Sequence, residues 1–309
     1  MLVKASAVGC VLAGASLALA GSPDKPEMNP AFDYGRFEAG LRDNLHPTHS
    51  TWDYWGPGWI PQSCKDIATS HGLSPNDFTI FNVHYDDCQE GWTFCRHKDA
   101  GASEIDMIDI FGRAPVHMRS FIRHLVATPG LHDGAAAFTF SNGDCVVESA
   151  PDLSVMLHEM SHSLDWHALP QYPSPFSSSN EWQSNYAQDS NTPTAYGRTN
   201  WLEDFAEAGK VGVFDKVVPG GFGSVAGNWG QVFHQYATYQ GYLGDTILPG
   251  GTCDKRFPNS ETVPMAGNSK RMAADLGEKP DNTIKADNMT LIQMRPEIEG
   301  QVSICEHQH

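Results

Sequence analysis

The sequence has 7 cysteines but no Cys-x-x-Cys pair, which argues against a zinc site built from thiolates. Beyond the first twenty residues, no apolar run reaches the roughly 18 residues that a membrane-spanning helix needs. Basic residues are scarce: 20 Lys and Arg stand against 37 Asp and Glu, a formal charge of −17. A surface of that sign repels phosphate backbones and anionic lipid, so neither nucleic acid nor a membrane is an expected partner. There is no internal repeat and no long low-complexity tract, which excludes a solenoid or repeat array.

What is present suits a globular chain: 309 residues, 40% hydrophobic and 10% aromatic, enough for a substantial core. The opening stretch MLVKASAVGCVLAGASLALA (1–20) carries Lys4, a run of small apolar residues, and Ala18-Leu19-Ala20 before Gly21. It reads as a secretory signal with an A-x-A cleavage site and predicts a secreted, extracellular protein. Six cysteines follow it: Cys64, Cys88, Cys95, Cys145, Cys253 and Cys305. An even set in a secreted chain predicts disulfides. The pairs expected are a local clip, Cys88–Cys95, and a tie for the tail, Cys253–Cys305. Asn288-Met289-Thr290 is an N-glycosylation sequon.

Along the chain, 21–60 reads as an irregular lead-in rich in Pro, Asn, Gly and Trp. Ser63 is placed to cap a short helix that Gly72 stops. DFTIFNVHY (77–85) alternates as a strand, GWTFCR (91–96) returns beside it, and EIDMIDIF (104–111) is a further strand candidate. The apolar spacing of 114–128 is helical. Two β-rich runs flank Asn142-Gly143, a strong hairpin signal. Helices are expected over 152–169, 200–210 and 228–243, with 168–199 a long loop. The order predicts an α+β fold, with one domain over 61–309 whose part from about 250 onward is loop-rich and pinned by cysteines.

The stretch LHEMSHSLDWH (157–167) holds the chemistry. Residues four apart share a helix face, so His158 and His162 can supply two corners of a tetrahedral zinc site. Glu159 lies about 100° around the helix, beside such an ion, where it suits a general base toward water. The third ligand is open on the residues alone. His167 tempts, but the pattern H-E-x-x-H-x-x-G-x-x-H needs glycine at 165 and histidine at 168, which here are Asp165 and Ala168. His167 therefore reads as a surface or packed residue. Asp165 shares the histidines' face but sits on the same straight helix, so it reads as a support. Glu203 and Glu207 are four apart on the next helix. Glu203 could complete a His₂Glu set, with Glu207 holding a histidine N–H; equally, both could be solvent-facing acids, and Asn200 with Glu203 mimics a capping box.

HEMSHSLD followed by AYGRTNWLEDFAEA resembles the catalytic domain of the anthrax-lethal-factor-like zinc metallopeptidases, a gluzincin group. The resemblance spans about residues 150–210, and it does not reach 21–100 or 250–309. It implies a zincin-like domain with a small mixed sheet, an edge hairpin and an active-site helix. It also implies one zinc ion per chain on His158, His162 and Glu203, Glu159 as catalytic base, Tyr196 toward the developing oxyanion, and Asp165 and Glu207 supporting the ligands. The expected activity is that of a secreted metalloendopeptidase, a hydrolase acting on a peptide or protein substrate. The family usually has glycine before the second histidine, where this chain has Ser161. The alternatives are a non-catalytic secreted protein stapled by zinc, in which Glu159 and Tyr196 would have no task, and a metal-dependent hydrolase of other substrates.

Overall fold

The structure is a computed structural model that describes residues 22–131, 137–266, 276 and 278–280. The leader 1–20, Asn288 and Cys305 lie outside the described residues. The described elements are, in order, α1 (Tyr34–Asn44), β1 (Ser50–Tyr54), β2 (Trp59–Pro61), α2 (Gln62–Ser70), β3 (Phe78–Tyr85), β4 (Trp92–His97), α3 (Glu104–Arg113) and the one-turn α4 (Val116–Arg119). There follow β5 (His124–Ala127), β6 (Ala137–Thr139), β7 (Asp144–Val147), α5 (Leu153–His167), α6 (Asn180–Tyr186), α7 (Trp201–Val217), α8 (Phe233–Leu243) and β8 (Thr262–Pro264).

Six strands form one sheet in the order β1-β3-β4-β5-β7-β6, and β2 pairs with β8 in a small second sheet. The central pairs β4–β5 and β5–β7 are parallel and the outer ones antiparallel, so the sheet is mixed and the fold is α+β. Side chains alternate across a strand, and the two faces bury different cores. Phe81, Val83, Trp92, Phe94, Leu125, Cys145 and Val147 pack with Leu153, Met156, Leu157 and Met160 of α5. On the opposite face Ile80, Cys95, Val126 and Val146 pack with Ile60, Cys64 and Ile67 of β2 and α2. Among the described residues no helix is long and apolar enough to cross a membrane.

Several local expectations change. Segment 104–111 is a helix, α3, because Ser103 and Asp106 form a reciprocal capping box at its start. Segment 114–128 is a single helical turn followed by β5, whose four residues are all buried between β4 and β7; burial on both faces of a parallel strand erases the alternation that marks one. The lead-in 21–60 contains α1 and β1. Ser63 lies inside α2, and the capping position falls to Pro61. The disulfides join Cys64 to Cys95 and Cys88 to Cys253. The expected Cys88–Cys95 clip fails because Cys95 points from β4 into the core under α2, where Cys64 meets it. Cys253 is taken by Cys88 rather than Cys305, and Cys145 is a buried free thiol.

Candidate metal centre

Helix α5 is buried from Leu153 to Asp165. Its amino end is capped from α1: the Glu38 carboxylate accepts from the Leu153 amide at 2.7 Å and the Ser154 amide at 3.0 Å, satisfying two amides that a helix start leaves unpaired. Helix α7 crosses α5 closely, and the contact is made by glycine on the α7 side. A Cβ on Gly209 would lie 2.5 Å from Ser161 Oγ and 2.7 Å from the Tyr239 ring. Ser161 itself fits, bonded to the Leu157 carbonyl at 2.7 Å and the Tyr239 hydroxyl at 2.8 Å.

The crossing brings His158, His162 and Glu203 together, all at least nine-tenths buried, with one ligand atom from each inside a 4.8 Å span. His158 Nε2 lies 3.1 Å from His162 Nε2 and 3.0 Å from Glu203 Oε2, and His162 Nε2 lies 3.4 Å from the same oxygen. The other His158 nitrogen, Nδ1, donates to Glu207 Oε1 at 2.9 Å. That holds Nδ1 as a donor and turns Nε2 toward the centre, the orientation a metal ligand needs once Nε2 gives up its proton. Glu207 is itself held by Lys210 Nζ at 2.7 Å and by the Thr194 hydroxyl at 2.5 Å.

The donor set fits a zinc ion. Ligands about 2.0–2.1 Å from a tetrahedral ion sit ~3.4 Å from one another, close to the separations here. Two imidazole nitrogens and a carboxylate oxygen converge on one point that a proton or a metal ion can bridge. His162 Nδ1 is buried with no hydrogen-bond partner, so its ring is held by packing and by the centre alone.

The electrostatics agree with a built site. Burial pulls the His158 imidazole down, but the hydrogen bonds to Glu203 and Glu207 push it up to about 9, so a metal ion on Nε2 would take the place of a proton shared with Glu203. Burial works against ionising Glu203, yet the two histidines hold its carboxyl well below the usual range. Burial likewise opposes Glu207, while Lys210 and His158 bring it to about 2. Glu159 goes the other way: burial raises its carboxyl above its ordinary value, with the histidine charges opposing. It stands outside the converging trio and accepts from the Thr139 hydroxyl of β6 at 2.9 Å.

Of the remaining candidates, Tyr196 is half-buried with its ring 5.6 Å from the His158 ring. Asp165 accepts from the Ser177 amide and hydroxyl, each at 2.6 Å, so it secures the loop at the end of α5 rather than a ligand histidine. Burial pushes its carboxyl up to about 7. His167 bonds to the Ser141 carbonyl and packs on Phe257, away from the trio. The residue readings left Thr139, Thr194 and Lys210 out. Lys210 had a signal, three residues beyond Glu207 on one helix face; Thr139 and Thr194 arrive only through the fold.

A family model described as Con-13, conidiation-specific protein Con-13, matches residues 35–294. The chain is also similar to conidiation-specific protein 13 of Neurospora crassa, 27% identical over 245 residues that span 77% of this chain and 70% of the relative. No solved structure matches. Neither description names a protease. The match extends through almost all the described chain, whereas the resemblance to lethal-factor-like metallopeptidases rests on some sixty residues around one metal-ligand pattern. That family assignment is therefore corrected, and with it the expected metalloendopeptidase activity and the hydrolase and gluzincin labels: the chain belongs to the Con-13 family of conidiation-specific proteins.

Proposed function

We propose that this protein is a metalloprotein that holds one zinc ion on His158, His162 and Glu203. The single observation that carries the reading is the convergence of the three buried ligand atoms at tetrahedral spacing, with His158 held in its ligand orientation by Glu207. In this reading the architecture is zincin-like: a mixed sheet whose edge hairpin, β6–β7, lies beside the helix that supplies both histidines. The Met1–Ala20 leader and the two disulfides support export to an oxidising compartment.

A second reading, that the centre is enzymatic, is favoured by Glu159. A site that only stapled the fold would have no use for a further carboxylate beside the trio, buried and held by Thr139. When bound, zinc supplies Lewis acidity to an oxygen ligand. Glu159 is placed to accept a proton, and burial makes it a stronger base than an exposed glutamate. Tyr196, beside the His158 ring, offers a phenol as hydrogen-bond donor. No substrate is assigned.

The test is metal analysis of purified protein after zinc repletion and dialysis. Wild type is expected to hold about one zinc per chain, Glu203→Ala to hold almost none, and Glu159→Gln to match wild type. A metal-free wild type overturns the proposal. Loss of zinc in Glu159→Gln would make that residue a ligand and remove it as the base.

A further inference from the structure

The face of the sheet turned away from α5 carries a row of polar residues where an apolar core is expected. The register places Asp53 of β1, Asn82 of β3, Thr93 of β4, His124 of β5 and Asp144 of β7 side by side, one on each of five adjacent strands. The inner end of this row is closed. Asp144 takes Arg123 through two hydrogen bonds, of 2.9 and 2.5 Å. His124 accepts from the Ser260 amide at 3.1 Å, and Thr93 accepts from Asn259 at 2.9 Å. The segment around 256–260 lies over this half as a cover.

The outer end is open. Beyond Asn259 the row runs into a cavity of about 610 Å³ whose wall includes Asp53, Trp55, Asn82, His84, Gln89 and Glu90. Its polar groups are already fixed in place. Asp53 receives the Asn82 amide at 3.2 Å and His84 Nε2 at 3.0 Å, and Asn82 Oδ1 takes Trp55 Nε1 at 2.8 Å and the Thr93 hydroxyl at 3.0 Å. Gly91 backs the His84 ring so closely that a Cβ there would sit 2.7 Å from Nδ1. One aromatic ring adjoins the array: Trp55, half-buried in the cavity wall, packs on the same face of the sheet as Asn82 and holds it through Nε1.

We propose that this cavity binds a neutral oligosaccharide. Small-molecule sites of about 300–1,000 Å³ are usually apolar with few polar groups; this one reverses the proportion, which suits a ligand covered in hydroxyls. Amide, imidazole and carboxylate groups in one rigid network offer donors and acceptors at once, as a hydroxyl needs both. The half-exposed Trp55 ring suits the C–H face of a sugar ring. The charges disfavour an anion: Asp53, Glu90 and Glu278 outnumber Arg256 and Lys279 in the wall, in a chain of net charge −17. The site is separate from the metal centre, on the other face of the sheet and at its other edge, since β6 beside Glu159 and β1 beside the cavity are the two outermost strands.

The experiment is calorimetric titration of the mature, full-length protein with neutral hexasaccharides of glucose, mannose and N-acetylglucosamine, and with an oligogalacturonate as the charged comparison. At least one neutral hexasaccharide is expected to bind with a Kd on the order of 0.1–1 mM. Asp53→Ala or His84→Ala should weaken it about tenfold or more, which is ~1.4 kcal/mol. Both side chains are more than half exposed, and an unchanged melting temperature certifies their folds. Glu203→Ala should bind as wild type does, so failure of the metal reading leaves this one standing. The proposal is overturned if no neutral hexasaccharide binds at about 10 mM, if only the oligogalacturonate binds, or if neither substitution weakens binding.

Discussion

The two faces of the sheet both bury ionisable side chains, and they do so in opposite ways. Toward β2 and α2, each charge is met by a complement: Arg123 by Asp144, the His124 nitrogens by the Thr93 carbonyl and Ser260. Toward α5 and α7, groups of the same kind converge on one point: two imidazole nitrogens and a carboxylate oxygen lie within 3.4 Å of one another. Closed pairs need nothing further and are structural. A converging set leaves one point that a proton or a metal ion can bridge, and that difference, rather than burial or charge as such, marks a candidate site.

The comparison can be broken most forcefully at the closed pair. Arg123→Met should leave Asp144 charged and unpaired in the core and cost about 3–5 kcal/mol, read by denaturant unfolding, while zinc content stays at the wild-type level. A loss of zinc with the fold intact would mean that the two faces are not independent.

Next in size is a pH effect. Burial lowers His124 to about 4, below its ordinary 6.5. Between those values the unfolded chain binds a proton that the folded residue refuses, so stability is lost as pH falls from about 6.5 to about 4, by ~3 kcal/mol. Unfolding free energies measured across that window should show the slope, and His124→Asn, which can keep the bond to the Thr93 carbonyl, should flatten it. An unchanged slope in the variant would assign the effect to other groups.

On the converging side, Glu207→Gln should leave the fold intact and weaken zinc binding about 10–100-fold, because the residue orients His158 without touching the ion. Competition with a chromogenic chelator would measure it; an unchanged affinity would reduce Glu207 to a partner of Lys210.

The smallest effect concerns the crossing itself. Gly209→Ala gains roughly 1 kcal/mol of helix propensity but drives a methyl into Ser161 and Tyr239, an overpacking cost of ~2 kcal/mol. A net loss of about 1 kcal/mol is expected from thermal unfolding. Stabilisation would show that the crossing has slack.

Legibility in the sequence followed the range of the interaction. The hairpin at Asn142-Gly143 was readable because glycine alone takes the turn's backbone angle cheaply, and Gly143 has φ 86°. The pair His158 and His162 was readable because helix periodicity puts them on one face. Segment 104–111 misled because its apolar residues fit either period, and only the Ser103 cap decides for a helix. Segment 114–128 misled because β5, buried on both sides, carries no alternation. Family membership was misread for a related reason: a metal-ligand pattern repeats wherever a helix must present two histidines, and it says little about the rest of the chain.

The sequence by itself determined the acidic surface, the two-histidine helix face, the neighbouring glutamate and the hairpin, all properties of residues a few positions apart. Only the tertiary structure decided that Glu203 meets the histidines, that Glu207 and Thr139 hold His158 and Glu159, which cysteines pair, and that five polar residues from five strands form one row ending in a cavity. These depend on helix crossing and strand register, which are set by packing of the whole core and leave no short-range trace in the chain.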